Sequence, residues 1–112
     1  MTYYIKIILL KNCIYSDNAL KLLEYHNIPF EIINVDNNNK DLLKSNEINT
    51  FPQIFLKRKN RNGHLLLGGY TDLHEFINIF KHKNYNHQQI SDFIKKYKWS
   101  KIAIIKLAQL IL

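Results

Sequence analysis

Two hydrophobic rhythms succeed one another along the chain, and the changes between them mark its elements. Residues 3–10, Tyr-Tyr-Ile-Lys-Ile-Ile-Leu-Leu, are aromatic, β-branched or leucine with Lys6 as the one charged interruption. Such a run predicts a strand buried on both faces, as in a sheet covered by helices. From Tyr15 to Asn27 the positions Ala19, Leu20, Leu22, Leu23 and His26 fall at helical spacing, with Ser16 or Asp17 near the start as a cap. Asn27-Ile28-Pro29 closes that helix, and Phe30–Val35 reads as a second strand. Asp36–Asn39 is a turn, and Lys40–Glu47, with Leu42 and Leu43, predicts a short second helix. Phe51–Leu56 predicts a third strand that opens with Pro52. Asn62-Gly63 is a hairpin signal ahead of the apolar His64–Leu67. Gly68-Gly69 breaks that strand, and Asp72 is placed to cap a helix running to about Phe80.

The predicted order is strand, helix, strand, helix, strand, strand, helix. Crossover rules make the first two strands parallel, and the hairpin adds an antiparallel pair. The expected class is therefore α/β, a four-stranded mixed sheet flanked by helices, here on both faces. This domain spans residues 1–83. Residues 84–112 form a C-terminal helical extension, in which Ile90, Phe93, Ile94 and Tyr97 make one stripe beside Lys95, Lys96 and Lys98. Its last segment, Lys101–Leu112, is apolar except for Lys101, Lys106 and Gln109, so a helix there has only a narrow polar face and must be covered by something. Packing on the chain's own domain, self-association and docking to a partner protein are the candidates. A membrane surface is a weaker one, for which the basic residues and Trp99 would be suited.

Composition narrows the classes. The 112 residues are 46% hydrophobic, which suits one globular domain and argues against disorder. A single cysteine excludes an intrachain disulfide and points to a reducing compartment, with the cytoplasm as the expectation. The opening residues lack the pattern of a secretory leader, and no apolar run reaches the length of a membrane span. The formal charge is +7, but residues 84–112 hold five Lys and one acidic residue, so much of the excess lies in the extension. No stacking platform or nucleic-acid motif accompanies that charge, and nucleic acid is not the expected partner. The five histidines (His26, His64, His74, His82 and His87) show no metal-ligand spacing, and no metal site built from protein alone is expected.

The candidate chemistry lies in Lys11-Asn12-Cys13-Ile14-Tyr15-Ser16, between the first strand and the first helix. A thiol at a helix N-terminus is favoured as the thiolate, which makes Cys13 a candidate nucleophile. A free cysteine is also commonly just a small buried hydrophobe, and the stretch alone leaves both readings open.

Two further segments bear on that choice: Thr50-Phe51-Pro52-Gln53-Ile54-Phe55, and Gly68-Gly69-Tyr70-Thr71-Asp72-Leu73 just after the hairpin. Together with the helix-opening Cys-x-x-Ser, in this order and at these distances, they resemble the glutaredoxin family on a thioredoxin-like fold. The resemblance covers about residues 3–81. It implies a glutathione-dependent thiol–disulfide oxidoreductase with Cys13 as nucleophile, Tyr15 flanking the sulfur, and a cis bond before Pro52 that turns the Phe51 backbone toward an extended ligand. It further implies that Gly69, Thr71 and Asp72 hold the γ-glutamyl end of glutathione, with the Asp72 carboxylate facing the ammonium. Gln53 and Lys11 become candidate donors to the glycyl carboxylate, with Lys40 as a substitute. The family's basic residue usually lies three positions before the cysteine, where this chain has Leu10.

Ile14 stands where dithiol members commonly carry proline, and Ser16 replaces the second cysteine. A hydroxyl cannot attack a disulfide, so only a monothiol route remains. Glutathionylated proteins or small disulfides would be its substrates. An alternative within the family is a carrier or sensor with a [2Fe-2S] cluster, bound as a homodimer by Cys13 of each protomer and two glutathiones. The frequent Cys-Gly-Phe-Ser signature of cluster-binding members is absent, and thiol chemistry is favoured. A third reading is a non-catalytic binding module that works through its basic extension.

Overall fold

A computed structural model of the chain describes residues 2–111. It contains strands β1 (Tyr3–Leu10), β2 (Phe30–Val35), β3 (Gln53–Arg58) and β4 (His64–Gly68), and helices α1 (Ile14–Tyr25), α2 (Tyr70–Phe80), α3 (His87–Tyr97) and α4 (Lys101–Leu110). The sheet order is β2-β1-β3-β4, with β1 parallel to β2 and antiparallel to β3, and β3 antiparallel to β4. This is the expected four-stranded mixed α/β sheet of thioredoxin-like type.

Pleating divides the strands between two clusters. Ile5, Ile7 and Leu9 of β1 point to one face, where Ile54, Leu56 and Leu67 join them. Ile8 points to the other, with Val35 and Phe55. The buried residues of all four α-helices belong to the first cluster, among them Leu23, Phe76, Phe93 and Leu107. The second face is covered by Leu43 and Ile48 instead. Helices on both faces were expected, and here the structure differs.

The reason lies in residues 40–48. The expected helix Lys40–Glu47 shrinks to a single 3₁₀ turn, Lys40–Leu43. Ser45 Oγ accepts from the N–H groups of Glu47 and Ile48, and the Ser45 N–H donates to the Ile48 carbonyl at 2.8 Å. This local network offers the backbone an alternative to continuing the helix. Leu42 stays 83% exposed, so no apolar stripe rewards a longer one.

Two further local readings are corrected. The hairpin loop between β3 and β4 takes its left-handed residue at Asn60, φ 65°, whereas Gly63 has no positive φ. Asp72 is not the N-cap of α2. Gly69 is, and the Asp72 carboxylate reaches back from the first turn to accept the Gly69 N–H at 2.9 Å. Gly68 has φ +130°, and a side chain there would overlap the Asp72 carboxylate, so the glycine is required both by backbone and by space.

Much of the apolar face of the extension is covered by the chain's own core, while Ile102 stays 66% exposed. Ile90, Phe93, Trp99, Ile104, Leu107 and Ile111 are all buried in the first cluster. Asn86 and Gln89 cap α3 reciprocally, each at 2.9 Å, and Ser100 caps α4 by accepting the Ala103 N–H. Lys98 in the left-handed conformation ends α3, and Lys83 Nζ donates to the Ala108 carbonyl near the end of α4. Trp99 Nε1 donates to the Leu66 carbonyl at 2.9 Å, fastening the link between α3 and α4 to β4.

Because the extension and the sheet share one core, they are expected to unfold together. Trp99→Ala should lower the unfolding free energy of the whole chain by about 3–5 kcal/mol, read as a lower denaturant midpoint in a single transition. A separate, unaffected transition of the sheet domain would contradict this.

Candidate active site

β1 is the central strand, and its C-terminal end delivers Cys13 to the N-terminus of α1. Asn12 takes φ 63° at the turn, and Cys13 is the N-cap residue in extended conformation. The Cys13 carbonyl accepts the Asp17 N–H at 3.1 Å. The side chain is partly exposed and unpaired with any other cysteine. Its thiol donates a long bond, 3.9 Å, to the Phe51 carbonyl. The Phe51–Pro52 bond is cis, as the resemblance implies.

Ser16 faces inward. It is 1% exposed, and its Oγ accepts the Leu10 N–H at 3.0 Å, so it ties the last residue of β1 to the first turn of α1. Tyr15 and Ile14 lie outward, 57% and 67% exposed. The Tyr15 ring sits 6.2 Å from that of Tyr70, across the start of α2.

An open groove of about 600 Å³ runs from Tyr15 past Thr50, Phe51 and Pro52 to Gly69, Thr71 and Asp72. At its far end the backbone N–H groups of Thr71 and Asp72 precede the first helical bond of α2, which Leu73 makes to the Gly69 carbonyl. Such N–H groups favour an anion. The Asp72 carboxylate stands beside them, so this corner offers donors and a negative charge together.

The structure thus brings together Cys13, Tyr15, Phe51, Pro52, Gly69, Thr71 and Asp72. It does not bring in Gln53 or Lys11. Gln53 is 1% exposed, and its Nε2 donates at 2.9 Å to the Leu43 carbonyl, tying β3 to the 3₁₀ turn. As an expected donor to a glycyl carboxylate it is corrected to an internal strut. Lys11 lines a separate depression with Asn12, Asp17, Asp36 and Asn39, and it too is set apart from the groove. Lys40 lies at the start of the 3₁₀ turn and is not among the groove-lining residues. Glu47, Ile48, Leu66 and Tyr70 line the groove without having been anticipated. They come from a loop, the middle of β4 and the start of α2, which carry no shared sequence signal.

One more residue was missed altogether. Tyr97 of the extension donates its hydroxyl to Asp72 Oδ1 at 2.6 Å. Burial, and then the Asp72 carboxylate, raise the Tyr97 phenol to about 12. Only its period-3.6 place beside Phe93 was visible in sequence, and that signals packing. Among the described residues no group of three or more His, Cys, Asp or Glu is arranged to hold a metal ion. A cluster would therefore rest on Cys13 and thiols from outside the chain.

Two outcomes follow from these bonds. Ser16→Ala leaves the Leu10 N–H without its partner in a buried place, and should cost about 1–3 kcal/mol in chemical unfolding. A raised phenol pKa means that the folded state favours neutral Tyr97; this contribution is complete below the unfolded value of about 10 and is lost as pH rises toward about 12. The stability difference between the chain and its Tyr97→Phe variant should accordingly shrink over that interval.

The chain matches no curated protein. The glutaredoxin family model matches residues 1–60, which include Cys13, Ser16 and the segment through Pro52. With more than half of its length matched and the sheet arranged as described, the chain belongs to the glutaredoxin family, whose members are generally glutathione-dependent thiol oxidoreductases.

Proposed function

We propose that this chain reduces glutathione mixed disulfides by a monothiol mechanism with Cys13 as the nucleophile. The observation that carries the reading is the groove itself. A partly exposed thiol lies beside the Phe51 carbonyl at one end, and the α2 N-terminus with Asp72 lies at the other. A γ-glutamyl tripeptide carries a carboxylate and an ammonium at one end and a sulfur in its middle. Thr71 and Asp72 N–H groups would receive the carboxylate, the Asp72 side chain the ammonium, and the extended backbone at Phe51 the cysteinyl peptide unit.

In the first step the Cys13 thiolate attacks the glutathionyl sulfur of R–S–S–G. A Cys13–S–S–G bond forms, the S–S bond between the glutathionyl sulfur and the RS group breaks, and the leaving RS⁻ thiolate takes a proton from solvent as RSH. In the second, the thiolate of another glutathione attacks the glutathionyl sulfur held on Cys13. Oxidised glutathione leaves and the Cys13 thiolate is restored. Both rates depend on the thiolate fraction and on the acidity of the leaving thiol. Tyr15, exposed beside the sulfur, would shield the mixed disulfide from one side. Ser16 has no nucleophilic part in this scheme, because its oxygen is buried against the Leu10 N–H. The second sulfur therefore comes from the ligand. The substrates are glutathionylated proteins or small mixed disulfides in a reducing compartment, which the cytoplasm would provide.

A coupled assay with a glutathionylated peptide and excess glutathione tests this. The wild-type chain should release the reduced peptide in a glutathione-dependent manner, and Cys13→Ser should fall to the uncatalysed rate. Turnover without glutathione, or undiminished turnover in Cys13→Ser, would sink the mechanism.

A further inference from the structure

The Asp72 carboxylate has two protein donors of different origin. Oδ2 accepts the Gly69 N–H at 2.9 Å, from its own helix cap. Oδ1 accepts the Tyr97 hydroxyl at 2.6 Å, from the C-terminal extension. The second is a short, charge-assisted bond. From it we infer that Tyr97 is a positioning residue for the ligand, holding Asp72 ready for an ammonium group and thereby making the extension part of the binding site. The inference rests on the reading of the groove given above.

The terminal torsion of an aspartate is broad, so a single bond to Gly69 leaves the carboxylate plane free to turn. The bond from Tyr97 fixes it. A carboxylate offers about four lone-pair sites, so two donors from the protein leave room for a cation. A hydroxyl is also neutral: it orients the carboxylate without cancelling the charge an ammonium would seek, as a lysine in its place would. The extension does place a lysine next to Tyr97, but Lys96 Nζ is held by Glu75 Oε2 at 2.9 Å.

Tyr97 approaches from behind. It lines a neighbouring depression with Leu66, Lys96 and Trp99 and is not among the residues lining the groove, so its ring leaves the ligand's path open. Its own position is tightly held. The ring packs on Phe93 at 4.3 Å, Lys98 ends the helix one residue later, and Trp99 is bonded to the Leu66 carbonyl. Fixing the acceptor before the ligand arrives removes part of the ordering cost of binding.

The test is steady-state kinetics of the full chain with glutathione and with an analogue whose γ-glutamyl group is replaced by glutaryl, which lacks the amine. Tyr97→Phe should raise KM for glutathione roughly 5- to 10-fold while kcat stays near the wild-type value. With the glutaryl analogue, wild type and Tyr97→Phe should have the same KM. An unchanged KM in Tyr97→Phe overturns the inference. So does an equal rise with the analogue, which would mean a general loosening of the groove, or a fall in KM, which would mean that the hydroxyl competes with the ammonium. Should Tyr97→Phe fail to fold, Tyr97→Leu keeps apolar bulk against Phe93 and has no donor; a KM equal to wild type with glutathione then overturns the inference, and a rise confined to glutathione supports it. A wild-type chain without glutathione-dependent turnover would overturn the reading of the groove, and this inference with it.

Discussion

The burial of β1 on both of its faces, at Ile5, Ile7 and Leu9 on one and Ile8 on the other, constrains everything else in this molecule. Ile5 and Ile7 have no exposed surface on one side, and Ile8 has 5% on the other, so the strand must be covered from both faces and paired on both edges. Burial of each such side chain is worth about 1.5–3 kcal/mol, and a one-residue slip would exchange every side chain between faces. The register is therefore held firmly. With the strand fixed, its C-terminal end fixes Cys13, and β3, paired to it, presents Phe51 and Pro52 alongside.

Coverage is unequal on the two faces, and this asymmetry shapes the site. All four helices crowd the first face, while the second has only the 3₁₀ turn and its loop. The buried Gln53 amide bonded to the Leu43 carbonyl ties that loop to β3, which replaces the support that a full helix would give. The groove opens between this loop and the start of α2. Its charged lining is acidic, Glu47 from the loop and Asp72 from the start of α2, with the N–H groups of the helix beside Asp72.

The extension is part of the fold's economy rather than an appendage. Phe93, Trp99, Ile104 and Leu107 complete the same cluster as Phe76 and Phe80. A domain of this size has little core to spare, and each added layer raises the fraction of surface buried. The bonds from Tyr97 to Asp72, Lys96 to Glu75 and Trp99 to Leu66 fasten the end of α3 to α2 and β4, next to the groove.

What the sequence determined by itself was local or periodic. The β1 run, the α1 spacing, the apolar stripe of α3 and the strand order follow from hydrophobic pattern and turn chemistry, which act between near neighbours. Cys13, the proline segment and Gly68–Asp72 were legible as candidate site residues because each sits at a boundary between elements. Tertiary structure decided the rest, since it depends on which distant groups meet. The Ser45 hydroxyl competing with helix bonds shortened residues 40–47 to one turn. The carbonyl of Leu43 claimed Gln53, and Lys11 lines a depression other than the groove. The Tyr97 hydroxyl met Asp72 across 25 residues of chain. No pattern along the sequence encodes that contact, because it arises only when α3 packs against the same core as α2.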